Sequence, residues 1–144
     1  MKSPKQPTKT NAFLKVSLAR LPALAGIVLS FVTPAKITPL AIVLIILSLM
    51  YVIIGLVRKH LKTPKQITAY VLIAIGLTVL SVLAITNLGS AAAYYILAAG
   101  FLSHTAWDTY QFVKNKVMPR WFSEFCMAYD TLIAAILVAI GLSK

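Results

Sequence analysis

The chain has 144 residues, of which 60% are apolar and 12% are charged, and 14 Lys and Arg against 3 Asp and Glu leave a formal net charge of +11. Ordinary globular domains carry about 25% charged residues, so this composition excludes a soluble domain and an intrinsically disordered chain. The single cysteine, Cys126, excludes a disulfide scaffold within the chain. We therefore expect an all-α polytopic membrane protein, a bundle of helices surrounded by lipid.

Five apolar segments predict five transmembrane helices, because a spanning helix needs about 20 mostly apolar residues. In chain order the segments cover residues 13–32, 40–57, 67–85, 91–113 and 121–143. The fourth segment contains His104 and Asp108, but its outer half is fully apolar. The loops between segments are short, so consecutive helices should pack side by side as antiparallel neighbours.

The N-terminal region is the part of the chain where two interpretations stay open. Residues 1–12 are basic and polar, which is typical of a disordered tail, and residues 13–144 are expected to form one transmembrane domain. Lys15 and Arg20 confine the lipid-facing part of the first segment to residues 21–32. A short apolar stretch of this kind fits either a first span or a cleaved signal peptide.

Basic residues predict the orientation, since cytoplasmic loops of membrane proteins hold an excess of Lys and Arg. With a cytoplasmic N-terminus, every Lys and Arg except Lys36 and Lys144 falls on the cytoplasmic side. The positive charge is then an orientation signal and a contact for anionic lipid headgroups, and it does not indicate nucleic-acid binding. This pattern predicts a multi-pass protein of a bacterial cytoplasmic membrane.

Small residues at four-residue spacing are expected to let helix backbones approach closely in lipid. Three such pairs occur, namely Gly26 with Ser30, Ala99 with Ser103, and Ala135 with Ala139. They predict packing and carry no functional meaning.

Polar residues within the fourth segment form one stripe. The stripe contains His104, Asp108, Gln111 and Asn115, spaced i, i+4, i+7 and i+11, with Gly100 one turn further out. Ionisable groups within a span are expensive, so they normally face the bundle interior and pair with other groups. The stripe therefore predicts a buried polar site in the cytoplasmic half of the bundle.

The depth of each residue predicts which partners face this stripe. His104 and Asp130 each lie nine residues from the cytoplasmic end of their helix, about 13 Å, and Asp108 and Cys126 each lie five residues in, about 7 Å. Since the two helices are joined by a tight loop, we expect His104 to face Asp130 and Asp108 to face Cys126.

Four more residues are expected around this site, namely Trp107, Glu124, Cys126 and Tyr129. Glu124 lies in the first turn of the fifth helix, where a carboxylate suits the helix dipole. It also follows Arg120 by four residues, a spacing that predicts an ion pair between them.

Two carboxylates and one imidazole can bind a cation, relay protons or coordinate a divalent metal such as Mg²⁺, Mn²⁺ or Fe²⁺. The ligand-binding residues predicted here are His104, Asp108, Asp130 and Gln111, and the first three are the candidate metal ligands. The structural alternative is a buried ion-pair network that only fixes the helix register.

Two C-terminal segments also share a recognisable pattern. Residues 104–108 read HTAWD and residues 119–130 read PRWFSEFCMAYD. The pattern resembles the C-terminal part of small bacterial integral-membrane proteins of uncharacterised function. The resemblance implies that these residues form a set, and it implies no activity.

Three functional hypotheses follow from the sequence. The first is binding and transport of a proton, a cation or a small polar solute, which also requires a homo-oligomer, because five helices are few to enclose a pathway. The second is an accessory subunit of a larger membrane complex. The third is a membrane-embedded, metal-dependent enzyme acting on a lipid or isoprenoid substrate.

Overall fold

The computed structural model describes Lys15 and residues 18–144. The predicted basic tail, residues 1–12, and the start of the first predicted span lie outside the described residues. The described residues form helices and no strand, which confirms the all-α prediction. The helices are α1 (Leu21–Val32), α2 (Ile37–Val57), α3 (Pro64–Thr86), α4 (Ala91–Lys114) and α5 (Arg120–Leu142).

Three of these helices, α2, α3 and α5, are long and apolar enough to cross a membrane. α1 has 12 residues, which is too short to cross alone, and α4 has 24 residues but carries the polar stripe. The structure therefore supports membrane association through three helices. The count of five spans and the cytoplasmic N-terminus stay predictions.

Local sequence determines where the helices begin. α3 begins before the predicted segment because Thr63 accepts a hydrogen bond from the Gln66 N–H while the Gln66 side chain accepts one from the Thr63 N–H, and Pro64 takes the first helical position. α2 begins at Ile37, three residues before the predicted start at residue 40, so Pro39 lies in its first turn. Proline is tolerated there because the first-turn N–H groups have no partner within the helix.

α4 occupies the centre of the helix packing. It contacts α2, α3 and α5, while α2 packs against α3 and α1 packs against α5. The prediction that all consecutive helices are neighbours is wrong for α1 and α2, whose described backbones do not approach each other. Gly26 explains where α1 goes, because a Cβ there would lie 2.5 Å from the Phe125 carbonyl oxygen of α5.

The small-residue pairs divide into two kinds. Gly26 and Ser30 are buried in the contact between α1 and α5, as predicted for a close approach. The other four small residues are exposed, namely Ala99, Ser103, Ala135 and Ala139. The small residue one position earlier in each helix is buried instead, namely Ala98 on α4 and Ala134 on α5.

Two apolar clusters lie on either side of the polar residues along α4. One contains Leu44, Leu97, Phe101 and Leu137. The other includes Tyr51 and lies at the end of the bundle where α4 meets the loop to α5. The polar side chains of α4 are thus held between two packed apolar layers.

Candidate functional site

The site begins with the buried face of α4. His104, Asp108 and Gln111 follow one another on this face, and all three are fully buried. Gly100 continues the face, and a Cβ there would lie 2.7 Å from the Leu44 side chain, so its absence allows α2 to approach α4. Asn115 does not belong to the buried stripe as predicted, because it ends α4 in a left-handed conformation with φ 48° and is exposed.

The imidazole of His104 lies between two carboxylates. Its Nδ1 is 2.7 Å from Asp130 Oδ2 and 3.0 Å from Asp108 Oδ2, and all three side chains are 0% exposed. The predicted contact between His104 and Asp130 is therefore present. Because both neighbours are acceptors when ionised, Nδ1 carries its single hydrogen toward them, and Nε2 points elsewhere.

α2 completes the cluster with a residue that the depth argument did not include. The Tyr51 hydroxyl donates a hydrogen bond to Asp108 Oδ1 and lies 3.4 Å from Ser123 Oγ of α5. The Tyr51 ring also packs edge-on against His104, with ring centroids 5.8 Å apart. The buried Cys126 thiol of α5 lies near Asp108, as expected, but the hydrogen-bond donor to Asp108 is Tyr51.

Four buried polar atoms have no hydrogen-bond partner among the described residues. They are His104 Nε2, Asp130 Oδ1, Gln111 Oε1 and Asp108 Oδ2, the last of which has only its 3.0 Å ion-pair contact with His104 Nδ1. Most buried polar atoms in proteins are paired, and each unpaired one costs about 1–3 kcal/mol. Such a concentration at one place is typical of a site that takes a ligand.

The same three ionisable groups fit a metal ion. One ligand atom from each of His104, Asp108 and Asp130 lies within 4.8 Å of the other two. Imidazole and carboxylate ligands suit divalent ions of the Mn²⁺, Fe²⁺ and Zn²⁺ type. These residues can thus supply one ligand atom each.

Gln111 connects the cluster toward the loops. Its Nε2 donates a hydrogen bond of 2.6 Å to the Tyr70 hydroxyl of α3. Tyr70 also lines a groove of about 280 Å³ whose polar walls include His60, Gln66 and Lys116. Gln111 is therefore not a direct neighbour in the ion-pair cluster but stands between it and a groove at the loop end of the bundle.

The other residues predicted around the site lie on different faces. Trp107 stacks on Tyr110, with ring centroids 5.3 Å apart, and packs edge-on against Tyr70. Tyr129 turns toward α1, where its hydroxyl donates to Thr33 Oγ1 at 3.4 Å. Neither takes part in the hydrogen bonds of His104 or the two aspartates.

The expected ion pair of Glu124 with Arg120 is wrong. Glu124 accepts a hydrogen bond of 2.8 Å from Arg20, which precedes α1. The Arg120 guanidinium instead lies over the Phe112 ring, 4.6 Å from its centroid. The physical reason is the packing of α1 on α5, which brings Arg20 to the Glu124 face and which the order of the helices did not suggest.

The position of Tyr51 in the sequence indicates that it belongs to the site. Tyr51 is the only ionisable residue in the apolar segment 40–57, and it lies six residues from the end of α2. That depth is close to the depth of Asp108 in α4. Tyr70 has a similar position in α3, so matching the depths of tyrosines as well as acids would have placed both at the site.

The fold and the cluster define an all-helical protein of membrane type with a buried His/Asp/Asp group. No protein-family model, no curated protein and no solved structure matches the chain. The resemblance of residues 104–108 and 119–130 to small bacterial membrane proteins stays a prediction.

Proposed function

We propose that the protein binds a proton or a small cation at His104, Asp108 and Asp130 and moves it within the membrane. The observation that carries this proposal is the fully buried contact between three ionisable groups on two neighbouring helices. Intramembrane ionisable groups are costly and commonly mark ion or proton pathways. Two carboxylates against one imidazole leave an excess of negative charge, which favours a positively charged ligand.

The proposed topology has five spans, with the N-terminus and the two basic loops, residues 58–66 and 114–120, on the cytoplasmic side of a bacterial cytoplasmic membrane. α4 packs against the apolar helix α5, and its 24 residues extend about 36 Å, compared with a hydrocarbon core of about 30 Å. Within the helix His104 and Asp108 face inward, and the exposed Lys114 lies at its end, so lipid meets mainly its apolar side. α4 is therefore suited to cross the membrane together with α5.

The size of the site favours a proton or a single ion over a larger polar solute. His104, Asp108 and Asp130 are in direct contact and have no exposed surface. A proton or a single ion can take up their unpaired lone pairs, whereas a solute of several atoms needs the helices to separate.

The groove beside Tyr70 supports a route from the loop side. Tyr70 both lines this groove and accepts the hydrogen bond of Gln111, and Gln111 lies one turn from Asp108 on the same face of α4. The unpaired Gln111 Oε1 is a place where water can enter. Five helices leave little room for a complete pathway, so the proposal includes a homo-oligomer or a larger complex.

A divalent metal is the second candidate ligand. The common 4.8 Å span of the ligand atoms of His104, Asp108 and Asp130 favours it. A bound divalent ion would supply Lewis-acid chemistry, as a membrane enzyme acting on lipid or isoprenoid would require. The residues' own part would be to hold the ion and exclude water.

A transport assay with neutral variants tests the proposal. Protein in vesicles that contain a pH-sensitive dye should dissipate an imposed pH gradient, or admit Mn²⁺ to a metal-sensitive dye. Asp108→Asn and Asp130→Asn should lower the rate to that of empty vesicles, because they keep the shape and remove the charge. Glu124→Gln is the matched control, since this carboxylate lies outside the cluster, and it should keep the wild-type rate.

Each alternative has its own outcome. Asn variants that transport at the wild-type rate would contradict the proposal, and Asn variants that do not fold in detergent would favour a network that only fixes helix register. A protein that copurifies in a fixed ratio in mild detergent, with no transport by the chain alone, would indicate an accessory subunit.

A further inference from the structure

A second concave surface lies on the outside of the bundle, away from the ion-pair cluster. It is a groove of about 660 Å³ between α3 and α4, within the size range of small-molecule sites. Gly76 on α3 opens one wall, since a Cβ there would meet no atom within 4 Å. Ser103 lies on the opposite wall, and its hydroxyl donates a hydrogen bond to the Ala99 carbonyl at 2.8 Å. An apolar ligand in the groove therefore does not deprive this hydroxyl of a partner.

The end of the groove nearest the basic loops has a different chemistry. Trp107 and Tyr110 stack on each other and line this end. Lys116, in the loop after α4, donates a hydrogen bond of 3.4 Å to the Tyr110 hydroxyl, and its ammonium lies 5.7 Å from the centre of that ring. The groove thus runs from a cationic, aromatic rim into an apolar channel.

We infer that this groove binds one anionic phospholipid, with an acyl chain along α3 and α4 and the headgroup beside Lys116. From Ser103 to Tyr110 the groove follows seven residues of α4, about 10 Å, which fits within one leaflet of about 15 Å. A transmembrane helix of a partner would cross both leaflets and would need a longer groove. Aromatic side chains and lysine at the rim are typical of the headgroup level.

Native mass spectrometry of the purified protein tests this inference. The probes are phosphatidylglycerol and phosphatidylcholine with the same acyl chains, each titrated in detergent. The wild-type chain should retain one phosphatidylglycerol more tightly than phosphatidylcholine, by about fivefold, which is the effect expected of one lysine at an anionic surface. Lys116→Ala should abolish the preference. Lys114→Ala should keep it, since the hydrogen bond and the cation–π contact with Tyr110 come from Lys116.

Filling the groove provides the second arm. Gly76→Leu and Ser103→Leu place a side chain in it from opposite walls, and each should reduce the binding of both lipids several-fold. Thr68→Leu adds bulk to an exposed position on another face of α3 that does not line the groove, and binding should not change. Undiminished phosphatidylglycerol binding in both filled variants would overturn the inference. A wild-type dimer that Gly76→Leu dissociates, without any lipid, would overturn it by assigning the groove to a second copy.

Discussion

The two sides of α5 each carry a carboxylate, and the two carboxylates differ in their burial and in their partners. Toward α4, Asp130 is fully buried and lies 2.7 Å from the imidazole of His104. Toward α1, Glu124, whose side chain is 14% exposed, lies 2.8 Å from the guanidinium of Arg20, whose side chain is 66% exposed. The two distances are nearly equal, but the two interactions differ in kind. The interaction energy depends here on the burial of the charged groups more than on the distance between them.

The comparison also shows how each side is held together. Exposed ion pairs contribute about 0–1 kcal/mol, so the contact between α1 and α5 depends mainly on shape, with Gly26 against the backbone at Phe125. The contact between α4 and α5 contains fully buried polar groups, and a polar group left there without its hydrogen-bond partner is costly. One side of α5 is therefore a packing surface and the other is a chemical site.

The largest expected effect follows from removing the buried acceptor. Asp130→Ala leaves His104 without its 2.7 Å partner, so the variant should lose about 3–5 kcal/mol of stability. SDS titration of the protein in mild detergent measures this loss. Asp130→Asn is the control, because its amide oxygen still accepts from Nδ1, and it should lose much less. Equal losses in the two variants would show that charge, and not the hydrogen bond, sets the stability.

The sequence predicted this side of α5 well. The contact of His104 with Asp130 followed from the tight loop between α4 and α5 and from equal depth along two antiparallel helices. Such helices obey a simple geometry, with a rise of 1.5 Å per residue. Both observed helix ends lie one residue beyond the predicted ones, at Lys114 and Arg120, so the depths of His104 and Asp130 stay equal. The all-α fold class was also predicted, because long apolar segments are typical of membrane helices.

The α1 side of α5 could not be predicted in the same way. Nothing in the chain order indicates that α1 packs on α5 and not on its neighbour α2, because this choice depends on the shape at Gly26. The error in the partner of Glu124 follows directly from it. Tyr51 was missed because its segment is otherwise apolar and its single hydroxyl carries little weight in a hydropathy pattern.

An intermediate effect is expected from filling the close contact on the α1 side. Gly26→Leu places a side chain where a Cβ already lies 2.5 Å from a backbone oxygen, so α1 must shift, at a cost of about 1–3 kcal/mol. Gly76→Leu is the matched control, since its position is open, and its stability should be unchanged or slightly higher. Unfolding in SDS compares the two.

The same variant also separates the two sides of α5. Gly26 contacts only the side of α5 that faces α1. The Gly26→Leu protein that remains folded should therefore dissipate a pH gradient at the wild-type rate. A loss of transport without a loss of folded protein would show that α1 also shapes the His104 cluster from across α5.

The smallest expected effect concerns the ion pair of Arg20 with Glu124, whose distance of 2.8 Å is close to the 2.7 Å between His104 and Asp130. Glu124→Gln should cost only about 0.2–1 kcal/mol, because the exposed guanidinium of Arg20 regains water when its partner is lost. The cost should also shrink as salt is raised, since screening acts on charges that water can reach. A double-mutant cycle with Arg20→Gln at low and high salt isolates the pair from other changes. If its coupling instead stayed large at high salt, solvent exposure would not be what distinguishes the two sides of α5, and the Glu124 side would have to be counted as a second buried polar site.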